Sequence, residues 1–101
     1  MSGNYVQFSH ITIDDVIAYL RLVEVDESER VLLSSILEAA RSHILTYTGQ
    51  TQEKADTFPE FTIACYSLCE EMFDKRTFTT DNTKVNEVVA SILGSRSVNL
   101  L

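Results

Sequence analysis

The chain has no tryptophan, one proline, three glycines and two cysteines in 101 residues. So little glycine and proline argues against a loop-rich sandwich and a disordered linker, both of which draw heavily on turn-forming residues. Two cysteines cannot build the disulfide framework of a small secreted domain. Cations are scarce as well: eight Lys and Arg stand against fifteen Asp and Glu, for a net charge of −7. A surface that binds DNA regardless of sequence must neutralise phosphates, and this chain has too few basic residues to cover a backbone. No run approaches the ~18 apolar residues of a membrane span. The opening Met-Ser-Gly-Asn-Tyr-Val-Gln-Phe lacks the basic start and apolar stretch of a signal peptide. A reducing, cytoplasmic setting is the expectation.

What is present is apolar and periodic. Hydrophobic residues make up 45% of the chain. A chain of this length hides roughly 65% of its unfolded surface on folding, enough for one core. Residues 12–22 open with Thr12 as a helix cap and Asp15 three positions on as its capping-box partner. Ile11 and Val16 have the spacing of a hydrophobic staple, and Ile13, Val16, Ile17 and Leu20 form a buried stripe. Asp26 with Glu29 starts the second segment and Gly49 stops it. Between them Leu32, Leu33, Ile36, Leu37, Ala39, Ala40, Ile44 and Tyr47 cover an arc of about 160°, wider than the ~100° of a helix buried on one side. His43 falls within that arc and reads as a partly buried histidine. Val31 and Leu45 add apolar side chains to the opposite, polar face.

Residues 50–57 read as a polar loop. Pro59 suits the first turn of a third helix, over 58–76, that is apolar on most of its circumference. Phe61, Ala64, Cys65, Leu68, Cys69 and Met72 share one face; Ile63, Tyr66 and Phe73 extend it, and Glu70, Glu71 and Asp74 mark a narrow wet side. A fourth segment, 82–93, places Val85, Val88, Val89 and Ile92 at helical spacing and ends at Gly94. The expected fold is all-α: a compact bundle of about four helices in a single domain. An extended arm (1–11) precedes the helical core (12–94), and an apolar tail (95–101) follows it.

Chemistry is hard to place on this pattern. A thiol enzyme needs a cysteine beside a histidine base, but Cys65 and Cys69 lie on the apolar face of the most buried helix, where a thiol is inert. The same pair at i, i+4 with His10 or His43 could hold zinc only by piercing the core, and the close cysteine pair on a turn is missing. The carboxylate clusters sit at helix starts or on wet faces. No phosphate loop, metalloprotease helix or nucleophile elbow is present, and the loop between the second and third helices is too long for a helix-turn-helix. No catalytic, cofactor or metal residues are assigned. The unexplained feature is surplus apolar surface: Val31, Leu45 and Tyr66 around the helices, and Val98, Leu100 and Leu101 in the tail. Such surplus is what a self-associating subunit carries, and spacing alone fits equally an irregular monomer core with the tail folded back onto it.

The order of the segments resembles the tailed-bacteriophage head–tail connector family, also called adaptor, head-completion or DNA-packaging proteins. The resemblance runs through Ile11-Thr-Ile-Asp-Asp-Val-Ile-Ala-Tyr-Leu-Arg-Leu22, Asp26-Glu-Ser-Glu29 and Leu37-Glu-Ala-Ala-Arg-Ser-His-Ile-Leu-Thr-Tyr-Thr-Gly49. It continues through Glu70-Glu-Met-Phe-Asp-Lys-Arg76, Val85-Asn86, Ser91-Ile-Leu-Gly94 and the tail Ser97-Val-Asn-Leu-Leu101. Phe73 departs from it, standing where a tyrosine is expected and lacking that hydroxyl. The resemblance implies a non-enzymatic virion protein of the head–tail neck, assembled in the host cytoplasm. It implies a ring of twelve copies docked under the portal protein, extending the DNA channel and offering a surface to a neck or tail completion protein, with no sequence-specific DNA contact. Val98, Asn99, Leu100 and Leu101 are then the expected docking segment, on the portal or an adjacent subunit, and Val31, Leu45 and Tyr66 the expected subunit contacts. The alternative is a small acidic helical module that binds one host or phage protein as a monomer or dimer.

Overall fold

The structure is a computed structural model, and it describes residues 5–75 and Glu87. The protein is all-α; among the described residues there is no strand. A single 3-10 turn, Phe8–His10, precedes α1 (Ile13–Leu20), α2 (Glu27–Thr48), the one-turn α3 (Gln52–Ala55) and α4 (Pro59–Lys75). The expected fourth segment, 82–93, and the tail lie outside the described residues, except that Glu87 is helical.

Local chemistry fixes the boundaries. Thr12 caps α1 through a full capping box: its hydroxyl accepts from the Asp15 N–H at 3.2 Å, and the Asp15 carboxylate accepts from the Thr12 N–H at 2.9 Å. The shorter aspartate reaches as the usual glutamate would. The staple residues Ile11 and Val16 are both buried beneath this cap. At the other end Arg21 adopts the left-handed conformation (φ 60°). Its N–H donates to the Ala18 carbonyl and that of Leu22 to the Ile17 carbonyl, which closes the helix as a glycine normally would. The Asp26 carboxylate caps α2 by accepting from the Glu29 N–H at 2.8 Å. Gly49, at φ 73°, ends α2 by donating to the Leu45 carbonyl.

α2 and α4 are the central pair, and α1 touches both. Leu33, Ile36, Leu37, Ala40 and Ile44 of α2 meet Phe61, Ala64, Cys65, Leu68, Cys69 and Met72 of α4 in one core, joined by Val16 from α1. The wide α2 arc is narrower in fact. Tyr47 is 39% exposed, whereas Leu45, expected on the polar face, is half-buried against the core. The buried positions Ile36, Ala40, Ile44 and Thr48 follow at intervals of four, and this row sets the axis of the buried face. Leu45 borders it beside Ile44. Thr48 is tolerated in the core because its hydroxyl donates to the Ile44 carbonyl at 2.8 Å.

Two segments are more ordered than their sequence implies. In its described part the arm is extended at Gln7 and Ile11, turns once between them and sends Phe8 fully into the core. Residues 50–57 are not a plain loop: Thr51 caps α3, whose Ala55 is buried.

Candidate functional site

The geometry that bears on binding is what holds the surface elements and which apolar groups they leave uncovered. The arm is tied to three elements. The Ser9 N–H donates to Asp56 Oδ1 at 2.8 Å and the Ser9 hydroxyl to Oδ2 at 2.7 Å. The Tyr5 hydroxyl donates to the Asp56 backbone carbonyl at 2.9 Å, and the Thr62 hydroxyl to the Val6 carbonyl. Arg41 of α2 donates to the Ile11 carbonyl at 3.0 Å while also pairing with Glu38 at 3.3 Å. Phe8 meets Phe61 edge-on, ring centres 5.9 Å apart, and Phe58 stacks on the same ring at 5.7 Å.

Uncovered apolar groups lie elsewhere. Val23 is 91% exposed, Val31 58%, Ile63 55% and Tyr19 43%. Tyr19 of α1 stacks on Tyr66 of α4, with ring centres 4.9 Å apart and planes at 12°. Partial burial raises the Tyr66 phenol above its ordinary value, helped by the Asp15 carboxylate and the two thiols. Ile63 sits one turn before Tyr66 on α4, on the same side of that helix as the Tyr19–Tyr66 pair.

Of the residues singled out from sequence, Val31 stands clear of the core, Tyr66 is half-covered by its partner ring, and Leu45 packs partly inward. The structure does not bring these three together as one patch. Val98, Asn99, Leu100 and Leu101 lie outside the described residues. Sequence reasoning passed over Tyr19, Val23 and Ile63. Ile63 was hidden among the apolar residues of α4, and Val23 reads as a connector residue; no residue pattern marks the helix stop at Arg21 that comes just before it.

The thiols sit where no reagent or metal reaches them easily. Cys65 and Cys69 are fully buried. Hydrogen bonding between them and burial push the Cys65 thiol well above its ordinary value, which keeps it protonated and poorly nucleophilic. Among the described residues no group of three His, Cys, Asp or Glu side chains is placed to hold a metal ion. Nor is any helix among them long and apolar enough to cross a membrane.

The family model described as "Phage gp6-like head-tail connector protein" matches residues 10–96. The chain belongs to this head–tail connector family. The match begins at the last residue of the 3-10 turn and takes in α1 through α4. Neither a curated protein nor a solved structure matches the chain. Membership makes this connector protein a structural component of a phage virion, in a family of structural proteins rather than of enzymes.

Proposed function

We propose that this connector protein is one subunit of a ring that docks beneath the portal of a filled capsid. The ring lengthens the DNA channel and presents a surface to the neck or tail component that follows. The observation that carries this reading is the family match over residues 10–96, and two properties of the chain support it. Large apolar side chains stand uncovered on α1, the α1–α2 connector, α2 and α4 (Tyr19, Val23, Val31, Tyr47 and Ile63), so they are spread over several elements. That distribution suits head-to-tail contacts between copies, where two different faces of one subunit meet. The net charge of −7 suits a channel through which DNA must slide, because an acidic wall repels phosphates instead of gripping them. Twelve copies is the expected ring, and the C-terminal Val98–Leu101 the expected docking segment.

The test is to mix the purified protein with purified portal and image the particles. Added density forming a closed ring on one end of each portal supports the reading. Bare portals at saturating protein, with the connector bound instead to a single partner as monomer or dimer, would replace it by the binding-module alternative.

A further inference from the structure

The two helices that carry the stacked tyrosines are poor in cations. α1 and α4 hold six carboxylates, Asp14, Asp15, Glu60, Glu70, Glu71 and Asp74, against one lysine, Lys75. Asp14 pairs with Arg30 of α2 and Glu71 with Lys75, and Arg21 stands just past the end of α1. Two of the other carboxylates flank the rings. Asp15 lies one turn before Tyr19 on α1. The Tyr66 phenol, raised first by burial, is raised further by Asp15, which sets that charge beside the second ring as well. Glu70 lies one turn after Tyr66 on α4; it is exposed and forms no ion pair among the described residues. Asp15 spends one oxygen on the Thr12 N–H. Stacking covers one face of the Tyr19 ring, yet the residue remains 43% exposed, and Ile63, one turn before Tyr66, is 55% exposed. Open aromatic and aliphatic surface is thus bordered by carboxylates.

We propose that the face around the Tyr19–Tyr66 pair binds an arginine-bearing segment of another protein, with guanidinium groups stacked on Tyr19 and paired with Asp15 and Glu70, and an apolar neighbour of the arginines on Ile63. The charge of the border selects this occupant. A purely apolar partner would strip water from Asp15 and Glu70 and give nothing back, which is costly for a carboxylate. A second copy offers Arg21 and Lys54, but each stands among acids of its own chain, Glu24 in one case and Glu53 in the other, and the copy brings −7 with it. Arginine suits the site better than lysine, because its planar group stacks on a phenol ring and bonds a carboxylate along its edge at the same time. The exposed ion pairs choose the partner, and burial of Tyr19 and Ile63 supplies attraction. The site does not rest on the ring reading; Val23, Val31 and Tyr47, on the α1–α2 connector and α2, remain for contacts between copies.

The experiment titrates the isotope-labelled full chain with three synthetic helical peptides that share the same leucines and carry arginine, lysine or glutamine at the remaining positions. Amide shifts are followed by NMR. The arginine peptide is expected to move the amides of residues 15–20 and 63–70 before any others. The lysine peptide is expected to bind about threefold more weakly and the glutamine peptide about tenfold more weakly. Tyr19→Leu, which keeps an apolar side chain without the ring, and Glu70→Gln are each expected to weaken the arginine peptide about threefold. Glu53→Gln, at an exposed carboxylate on α3, is expected to change nothing. Circular dichroism checks that each variant is folded, and Glu70→Gln carries the test if Tyr19→Leu is not. Shifts spread evenly over the acidic residues, or a Glu53→Gln loss equal to that of Glu70→Gln, would reduce the binding to general charge attraction and overturn the inference. Arginine and lysine peptides of equal affinity overturn it too, as does an arginine peptide that does not bind. The same amides moving with protein concentration alone would make the occupant a second copy and overturn it as well. No portal enters this test, so bare portals in the imaging experiment leave its result standing.

Discussion

Ser9 holds both oxygens of the Asp56 carboxylate, one through its backbone N–H at 2.8 Å and the other through its hydroxyl at 2.7 Å. The two residues are 47 positions apart, so this clamp joins the start of the chain to the corner between α3 and α4. Asp56 is also the residue whose backbone carbonyl receives the Tyr5 hydroxyl. The arm and the α2–α4 connection therefore set each other's position.

Replacing Asp56 by alanine should cost about 2 kcal/mol, the usual worth of hydrogen bonds to a partly buried charged acceptor. Urea unfolding should show a lower midpoint with little change in slope. Exchange of the Ser9 amide hydrogen should speed up more than that of the α2 amides, because the arm loses its anchor while the helix pair stays packed.

Phe8 is the deepest arm residue, fully buried with its ring edge on Phe61. Phe8→Ala should cost about 3–5 kcal/mol, the range for emptying a phenylalanine site in a core. Phe8→Leu should lose much less. Thermal melts of the two variants beside the wild type separate a packing role from a merely extended, loosely held arm, for which neither change would matter.

Alkaline pH should weaken the protein. Cys65 has a folded-state value raised well above its ordinary 9.0, and Tyr66 is raised above 10.0. For an acid raised by folding, the folded chain keeps its proton after the unfolded chain has lost it. Stability is thus complete below the unfolded value and falls as pH climbs through it toward the folded one. The slope approaches about 1.4 kcal/mol per pH unit for each such group. Under reducing conditions, unfolding midpoints should hold steady between pH 7 and 8 and decline from about pH 9 upward. Cys65→Ser and Cys69→Ala together should remove most of the decline between pH 9 and 10.

Much of this architecture was legible from local chemistry. Thr12 with Asp15, Asp26 with Glu29, and Gly49 mark helix ends by side-chain reach and backbone freedom, which depend only on neighbours a few residues away. The buried faces of α2 and α4 followed from spacing. What spacing could not show depends on distant partners. Phe8 is buried because Phe61 is there to receive it, and α3 forms where Asp56 is fixed by Ser9. Leu45 and Tyr47 exchanged their expected environments because the buried face extends from the Ile44–Thr48 row toward Leu33 and Leu37, whose four-residue row Leu45 continues, and not toward the row of Ser35, Ala39 and His43 that ends at Tyr47; an arc of about 160° leaves that rotation open. The interaction surface was the least legible part. Tyr66 was visible as surplus, but its pairing with Tyr19 requires two helices brought together in space.

Removing Val98–Leu101 should leave a folded helical protein and abolish its attachment to portal, since this short apolar segment is the expected docking element. Circular dichroism checks the fold and co-sedimentation with portal checks the attachment. Capsids that complete and retain DNA with the shortened protein would count against the assignment.

The most direct test of the central claim is to image purified portal incubated with the wild-type protein and count the copies added to each particle. The account predicts a closed ring of connector subunits on one portal face, with the twelve copies expected of the family. Portals that remain bare, or that carry scattered single copies with no closed ring, would contradict it.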